Sequence, residues 1–238
     1  MKKVANRRGT NIRLYKYSDQ SLYMNIPFGR VTALEATASR VYAQGGPTDA
    51  RLIGFDDPIE GTFKITTQII PIELIALACT PDGVTDGGDW AVREEIKATT
   101  AGKVTLTDTP IAGTIYVYKK ADDLTGEPAA TTATDKEVTV TGAQVGDVYV
   151  AYYLKEVSTA KSVTFNNNTT PGSYIIYCDT TYKAEDDAIV AEQIKCFKAM
   201  PQKAISLSYQ GSGDPASMDL TFDLLEDDNG DTIKFTRM

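Results

Sequence analysis

Histidine is absent from the 238 residues. Ser-His-Asp and Cys-His catalysis and the usual zinc sites therefore lack their imidazole, and only carboxylate or lysine chemistry stays open. Cysteine is scarce. Cys79, Cys178 and Cys196 are odd in number and far apart, which argues against a disulfide framework and CxxC metal sites. Each reads as a small buried residue. No stretch approaches the roughly 18 apolar residues that span a membrane. The longest apolar patch, "IIPIELIALAC" at 69–79, carries Glu73. The basic opening "MKKVANRRGT" is followed by no apolar run of signal-peptide length, so a soluble chain made in the cytosol is expected.

What is present points to strands. The length suits one large or two small domains at about 150 residues each, and 42% apolar residues suffice for a sizeable core. Thr, Val and Ile are plentiful and Tyr occurs thirteen times. Such side chains fit a pleated, half-buried surface, so an all-β fold is expected. The formal charge of −8 is unevenly placed. Residues 1–30 hold seven bases against Asp19, or +6, and the remainder holds 17 bases against 31 acids, or −14. An acidic body repels DNA, and a basic arm can dock on an acidic neighbour.

Three segments emerge along the chain. In the first, "NIRLYKY", "SLYMNI", "RVTALEATASRVYAQ", "ARLIGF" and "TFKITTQII" read as strands. Alternation puts Val31, Ala33 and Glu35 on one face. "GGPTD" (45–49) and "DDPIEG" (56–61) are turns or loops. Pro71 starts a short helix whose buried face combines Ile72, Ile75, Ala76 and Cys79, widened by Leu74 and Leu77. Residues 80–90 break it. From 93 to 170, short alternating strands suggest a small sandwich of immunoglobulin-like architecture. Within it, 137–153 ("EVTVTGAQVGDVYVAYY") reads as two strands joined by a turn between Gly142 and Gly146. The last segment has a strand at 172–182. "IVAEQIKCFKAM" follows, with Ile189, Val190, Gln193, Ile194 and Phe197 at helical spacing. "PQKAISLSYQ" reads as a strand, and "SMDLTFDLL" and "DTIKFTR" as a hairpin around Asn229-Gly230.

Candidate chemical motifs fail on spacing. The acids around Gly230 are out of register for a calcium loop, with Leu225 at position 1 and Thr236 at position 12. "TTAGKVT" lacks the earlier glycine of a phosphate loop and has Val104 where Ser or Thr belongs. Asp56 with Asp57 and Glu94 with Glu95 are adjacent, so on strands they point apart. "NNNTT" holds sequons at Asn167 and Asn168, read as a loop. No metal, cofactor or catalytic residue is expected, and an enzyme is the weakest class.

The order of "RVTALEATASRVYAQGG", "TFKITTQIIPIELIALACT", "GSYIIYCDTTYKAEDD" and "KAISLSYQGSGDPASMDLTFDLLEDDNGDTI" resembles the tail tube proteins of long-tailed bacteriophages. "SGDPASMDLTFDLL" in particular is similar to the C-terminal end of many of them. The resemblance covers roughly 1–90 and 171–238. It implies a tail-tube-like β-sandwich or barrel with a flanking helix (1–92 and 171–238) and an inserted immunoglobulin-like sandwich (93–170). It also tips "IVAEQIKCFKAM" towards a strand. It implies a virion protein whose hexameric rings stack into a conduit for DNA that is not specifically bound. The implied partners are other copies, tape measure, tail terminator and baseplate or sheath proteins, with no membrane. Loops around 43–60 and the N-terminal segment with Arg7 and Arg8 are expected at ring-to-ring contacts. Glu35, Asp219 and Asp223 are candidate assembly or lumen residues from strand alternation. Two alternatives stay open. One is a β-sandwich adhesin or fibre module for a cell-surface glycan. The other is a non-polymerising terminator or baseplate ring protein.

Overall fold

The computed structural model describes residues 4–45, 50–79, 83–123, 125–207, 209, 213 and 215–238. Strands dominate them, and the fold is all-β. Contacts divide the chain into two compact units, Met1–Val84 with Val163–Met238, and Thr85–Ser162. The first unit opens with β1 (Val4–Lys16), β2 (Leu22–Ile26), β3 (Arg30–Thr37), β4 (Arg40–Gly45), β5 (Ala50–Asp56), β6 (Glu60–Thr67) and helix α1 (Ile72–Cys79). The second unit holds β7 (Thr85–Asp86), β8 (Asp89–Lys97), β9 (Lys103–Thr105), β10 (Tyr116–Lys119), β11 (Glu137–Thr139), β12 (Val148–Glu156) and β13 (Lys161–Ser162). The chain then returns to the first unit with β14 (Tyr174–Ala184), β15 (Ile189–Pro201), β16 (Met218–Leu225) and β17 (Ile233–Arg237).

The first unit is a sheet closed on itself. Antiparallel pairings run β14-β1-β3-β6-β16-β15, and β15 pairs back to β14. β2 flanks β1 and β17 flanks β15. Alternate residues point inward, as the pleat requires: Ile12 and Leu14, Phe63 and Ile65, Ile176 and Cys178, Ile194 and Cys196, Leu220 and Phe222 fill one core. β1 meets β3 through the single pair Gly9↔Val31. A Cβ on Gly9 would lie 2.8 Å from Cys178 Sγ and 3.2 Å from Val31, so the approach requires glycine.

Helix α1 begins after Pro71, whose carbonyl accepts from the Leu74 amide at 3.0 Å. Glu73 in its first turn complements the helix dipole. Its core contact is made by Leu74, Leu77 and Ala78, with Ile75 partly buried beside them. The buried face is thus centred on Leu74 and Leu77, and Ile72 stays half-exposed.

Several local readings need correction. "RVTALEATASRVYAQ" is two strands, and a bulge between Val31 and Ala33 resets the alternation so that Val31 and Leu34 pack on the core. "IVAEQIKCFKAM" is not among them, because it forms strand β15 as the resemblance implied, despite its helical apolar spacing. Pairing with β14, β16 and β17 outweighs local propensity here. β16 and β17 do not form a hairpin. Both lie along the same edge of β15, at Lys198–Pro201 and Glu192–Cys196, and the turn at Asp227 and Gly230 connects them end to end. "PQKAISLSYQ" contributes only its first residue to β15 and a lone bridge, Leu207↔Met218. The Gly46–Asp49 part of "GGPTD" and Ser212 and Asp214 of the Gly-Asp-Pro turn lie outside the described residues.

In the second unit the three-stranded sheet β10-β12-β8 and the pair β9-β11 share a core of Val104, Val117, Val138, Tyr149, Ala151 and Tyr153. The stretch 137–153 is not a hairpin. β11 pairs with β9, and β12 pairs with β8 and β10. Gly142 and Gly146, at φ 82° and 99°, carry the chain from one sheet to the other. The observed unit starts at Thr85 and ends at Ser162, whereas sequence spacing suggested 93–170. All of β8 therefore belongs to it.

Phe222 is fully buried on β16. Phe222→Ala is expected to cost about 3–5 kcal/mol of unfolding free energy by chemical denaturation, as a large cavity opens in a closed core. The three cysteines are free and buried. Burial pushes the Cys178 and Cys196 thiols up to about 12, so little thiolate forms at neutral pH. A thiol reagent at pH 8 is expected to label none of the three until denaturant is added, followed by mass spectrometry.

Candidate assembly surface

The hairpin β4–β5 belongs to no larger sheet. Every described residue of β5, and all of β4 except Gly45, is exposed. Its sequence is nonetheless that of a buried strand pair. Leu52 is 66% exposed, Phe55 60%, and Val41 and Ile53 58% each. Two polar devices hold it in shape. Arg40 forks onto Asp56, with Nη2 donating to Oδ2 at 2.9 Å and a second bond from Nε. The Arg51 guanidinium sits 4.6 Å over the Tyr42 ring. Beside its base, Ser39 donates to Asp57. A clustered apolar surface of this kind marks an interaction site.

At the hairpin's foot is a cleft of about 640 Å³, lined by Glu35, Thr37, Ile59, Glu60, Asp223 and Glu226 among others. Registers explain the convergence. Glu35 stands opposite Thr62 and Thr62 opposite Asp223, one rung across β3, β6 and β16 on the side away from the core. Gln202 Nε2 donates to Asp223 at 2.7 Å. Among the described residues no cation pairs with Glu35, Glu60, Asp223 or Glu226. Asp219 shares the outward face but is neutralised. Lys64 Nζ lies 2.8 Å from its carboxylate and Thr66 Oγ1 donates at 2.6 Å. These bonds, that of Lys64 first, hold the Asp219 carboxyl below the usual carboxylate range.

Of the sequence candidates, Glu35 and Asp223 meet in the cleft, and Asp219 lies on the same face without lining it. Arg7 and Arg8 have their backbone in β1, and their side chains lie outside the described residues. Residues 4–16 are thus built into the closed sheet rather than forming a loose arm. The adjacent carboxylates point apart as strand geometry demands. Glu94 accepts from Tyr153 Oη at 2.9 Å and the Thr107 amide at 3.0 Å, while Glu95 pairs with Lys120 at 2.7 Å. Among the described residues no group of three His, Cys, Asp or Glu could hold a metal ion, and no helix is long and apolar enough to cross a membrane.

Sequence reasoning read "ARLIGF" as a strand and placed the loops around 43–60 at a ring-to-ring contact, but it did not foresee that the strand pair would stand exposed. The apolar alternation of "VYA" and "RLIGF" was the available signal, but such a pattern ordinarily means a covered face. The network on the opposite wall of the barrel was also missed. There Asn11 Nδ2, Arg13 Nη2 and Gln193 Nε2 donate to Asp179 at 2.6, 2.5 and 2.9 Å. Arg13 Nε is buried with no acceptor among the described residues.

A sequence model of the YomU/Tube protein family matches residues 9–237. No curated protein matches the chain.

Because its pKa is lower folded than unfolded, Asp219 contributes stability above its ordinary value near 3.8, and that contribution is lost as pH falls through the folded value. The stability difference between wild type and Asp219→Asn, from denaturation at stepped pH, is expected to hold steady from pH 7 to 5. It should shrink below about pH 4.

Proposed function

The chain belongs to the YomU/Tube protein family, and from that premise we propose that it is the subunit of a phage tail tube. Six copies close a ring, rings stack head to tail, and the lumen conducts DNA. A tube-type structural role is what the family establishes. The ring, the stack and the conduit are our reading.

The observation that carries it is the hairpin β4–β5. Its apolar side chains face outward on an otherwise well-filled subunit, and burying each such side chain against a neighbour is worth about 1.5–3 kcal/mol. Repeated head to tail, that contact generates a filament. The basic N-terminal segment with Arg7 and Arg8 supports the same ring-to-ring contact. Glu35 and Asp223 belong to an assembly surface, while Asp219 braces β16 on β6 through Lys64. An acidic chain keeps DNA from adhering during passage, since like charges repel. The second unit is an immunoglobulin-like decoration of the subunit. Tape measure, tail terminator and baseplate or sheath proteins are the expected partners.

Negative-stain electron microscopy over a concentration series, with light scattering, tests the reading. Stacked rings with a central hole are expected. A monodisperse monomer or trimer at every concentration would shift the assignment to a binding module. Leu52→Asp with Phe55→Asp is expected to abolish stacking without lowering the melting temperature, since both side chains are exposed. Arg7→Glu with Arg8→Glu is expected to weaken polymerisation. Unchanged tubes in either variant would remove that element from the ring-to-ring contact.

A further inference from the structure

Around the closed sheet, β14 and β6 stand three strands apart whichever way the pairings are followed, through β1 and β3 or through β15 and β16. They form opposite walls of one barrel. The two walls carry open charges of opposite sign.

On the wall centred on β14, one rung reads Arg13–Tyr177–Lys195–Lys234, fixed by the pairs Arg13↔Tyr177, Tyr177↔Lys195 and Lys195↔Lys234. These side chains point away from the core, because their strand neighbours Ile12, Leu14, Ile176, Cys178, Ile194 and Cys196 point into it. Lys195 is held flat, 4.1 Å over the Phe197 ring and 5.7 Å from the Tyr177 ring. Among the described residues, neither Lys195 nor Lys234 has a carboxylate in ion-pair contact. Asp227 stands near enough to Lys195 to feel its charge. Asp179 is bonded to this rung through Arg13.

On the wall centred on β6, the rung Glu35–Thr62–Asp223 forms part of the cleft. Arg13 is neutralised by Asp179, so the open charges of the first rung are the neighbouring Lys195 and Lys234, and those of the second are Glu35 and Asp223. A rung with two open lysines thus lies across the barrel from a rung with two open acids.

We propose that these two walls are the complementary halves of the lateral contact within a ring: the Tyr177–Lys195–Lys234 wall of one copy packs on the Glu35–Thr62–Asp223 wall of the next. The partner is a second copy of this chain, and the proposal rests on the tube reading. Because the halves lie on opposite sides of one barrel, the contact is heterologous, and repeating it yields a ring if the rotation closes. Complementary potential sets its register and speeds its formation, and like charges brought together are costly.

A charge-swap experiment on the full chain tests the contact. One variant carries Lys195→Glu with Lys234→Glu, the other Glu35→Lys with Asp223→Lys. Each alone juxtaposes like charges and is expected to raise the assembly concentration at least about tenfold by light scattering. Mixed in equal amounts, they present opposite charges at every alternating junction, and rings are expected to return. A ring of six accommodates that alternation. Thermal melting and circular dichroism check that each variant is folded. If a reversal unfolds the chain, the neutral changes Lys195→Gln and Asp223→Asn replace it, each expected to raise the assembly concentration to a smaller extent. Variants that assemble like wild type, or folded reversals whose mixture stays dispersed, would overturn the contact while tubes of the wild type leave the tube reading intact. A wild type that never assembles would remove both.

Discussion

Return pairing of β15 onto β14 is the constraint on which the first unit depends. Without it, β14 and β15 would each present an unpaired edge, and the core residues of both strands would line an open face. With it, the pleat has one interior, and every other residue of six strands is committed to one core. The outward residues are then unneeded for folding and are available to other molecules.

The same closure explains the local irregularities. A closed sheet must turn sharply where strands change partners, and the turns fall at glycine and at bulges. β1 stays paired with β14 through Gly9 while its other edge passes from β2 to β3 there, where a side chain would strike Cys178. β3 bulges after Val31, which keeps both Val31 and Leu34 on the core and throws Glu35 outward into rung with Thr62 and Asp223. The charged cleft is thus a by-product of how the core is packed at that corner. Its chemistry, two acids flanking a threonine, is specific to the surface.

The molecule separates its tasks spatially. Cores are apolar and closed, and their cysteines are buried. The carboxylate candidates for chemistry are absorbed in strand-to-strand and turn contacts, as Glu94 is by Tyr153 and Thr107. What stays uncommitted is an apolar hairpin and two walls of opposite charge. That combination suits association of like molecules better than turnover of a small substrate, and it agrees with a tube-type structural protein.

By itself the sequence determined the all-β class, the helix after Pro71 and the absence of imidazole chemistry. Each depends on composition or on short-range periodicity, which are local properties. The same local signals misled at 137–153 and at 218–237, where successive strands joined by glycine turns pair with other strands and not with each other. Alternation encodes which face of a strand is buried and leaves its neighbour open. Only the tertiary structure decided the closure of the sheet, the bulge that aims Glu35, the exposure of Leu52 and Phe55, and the rung that joins Arg13 to Lys195 across 182 positions of chain. Those are products of long-range pairing, which is selected by the packing of the whole core.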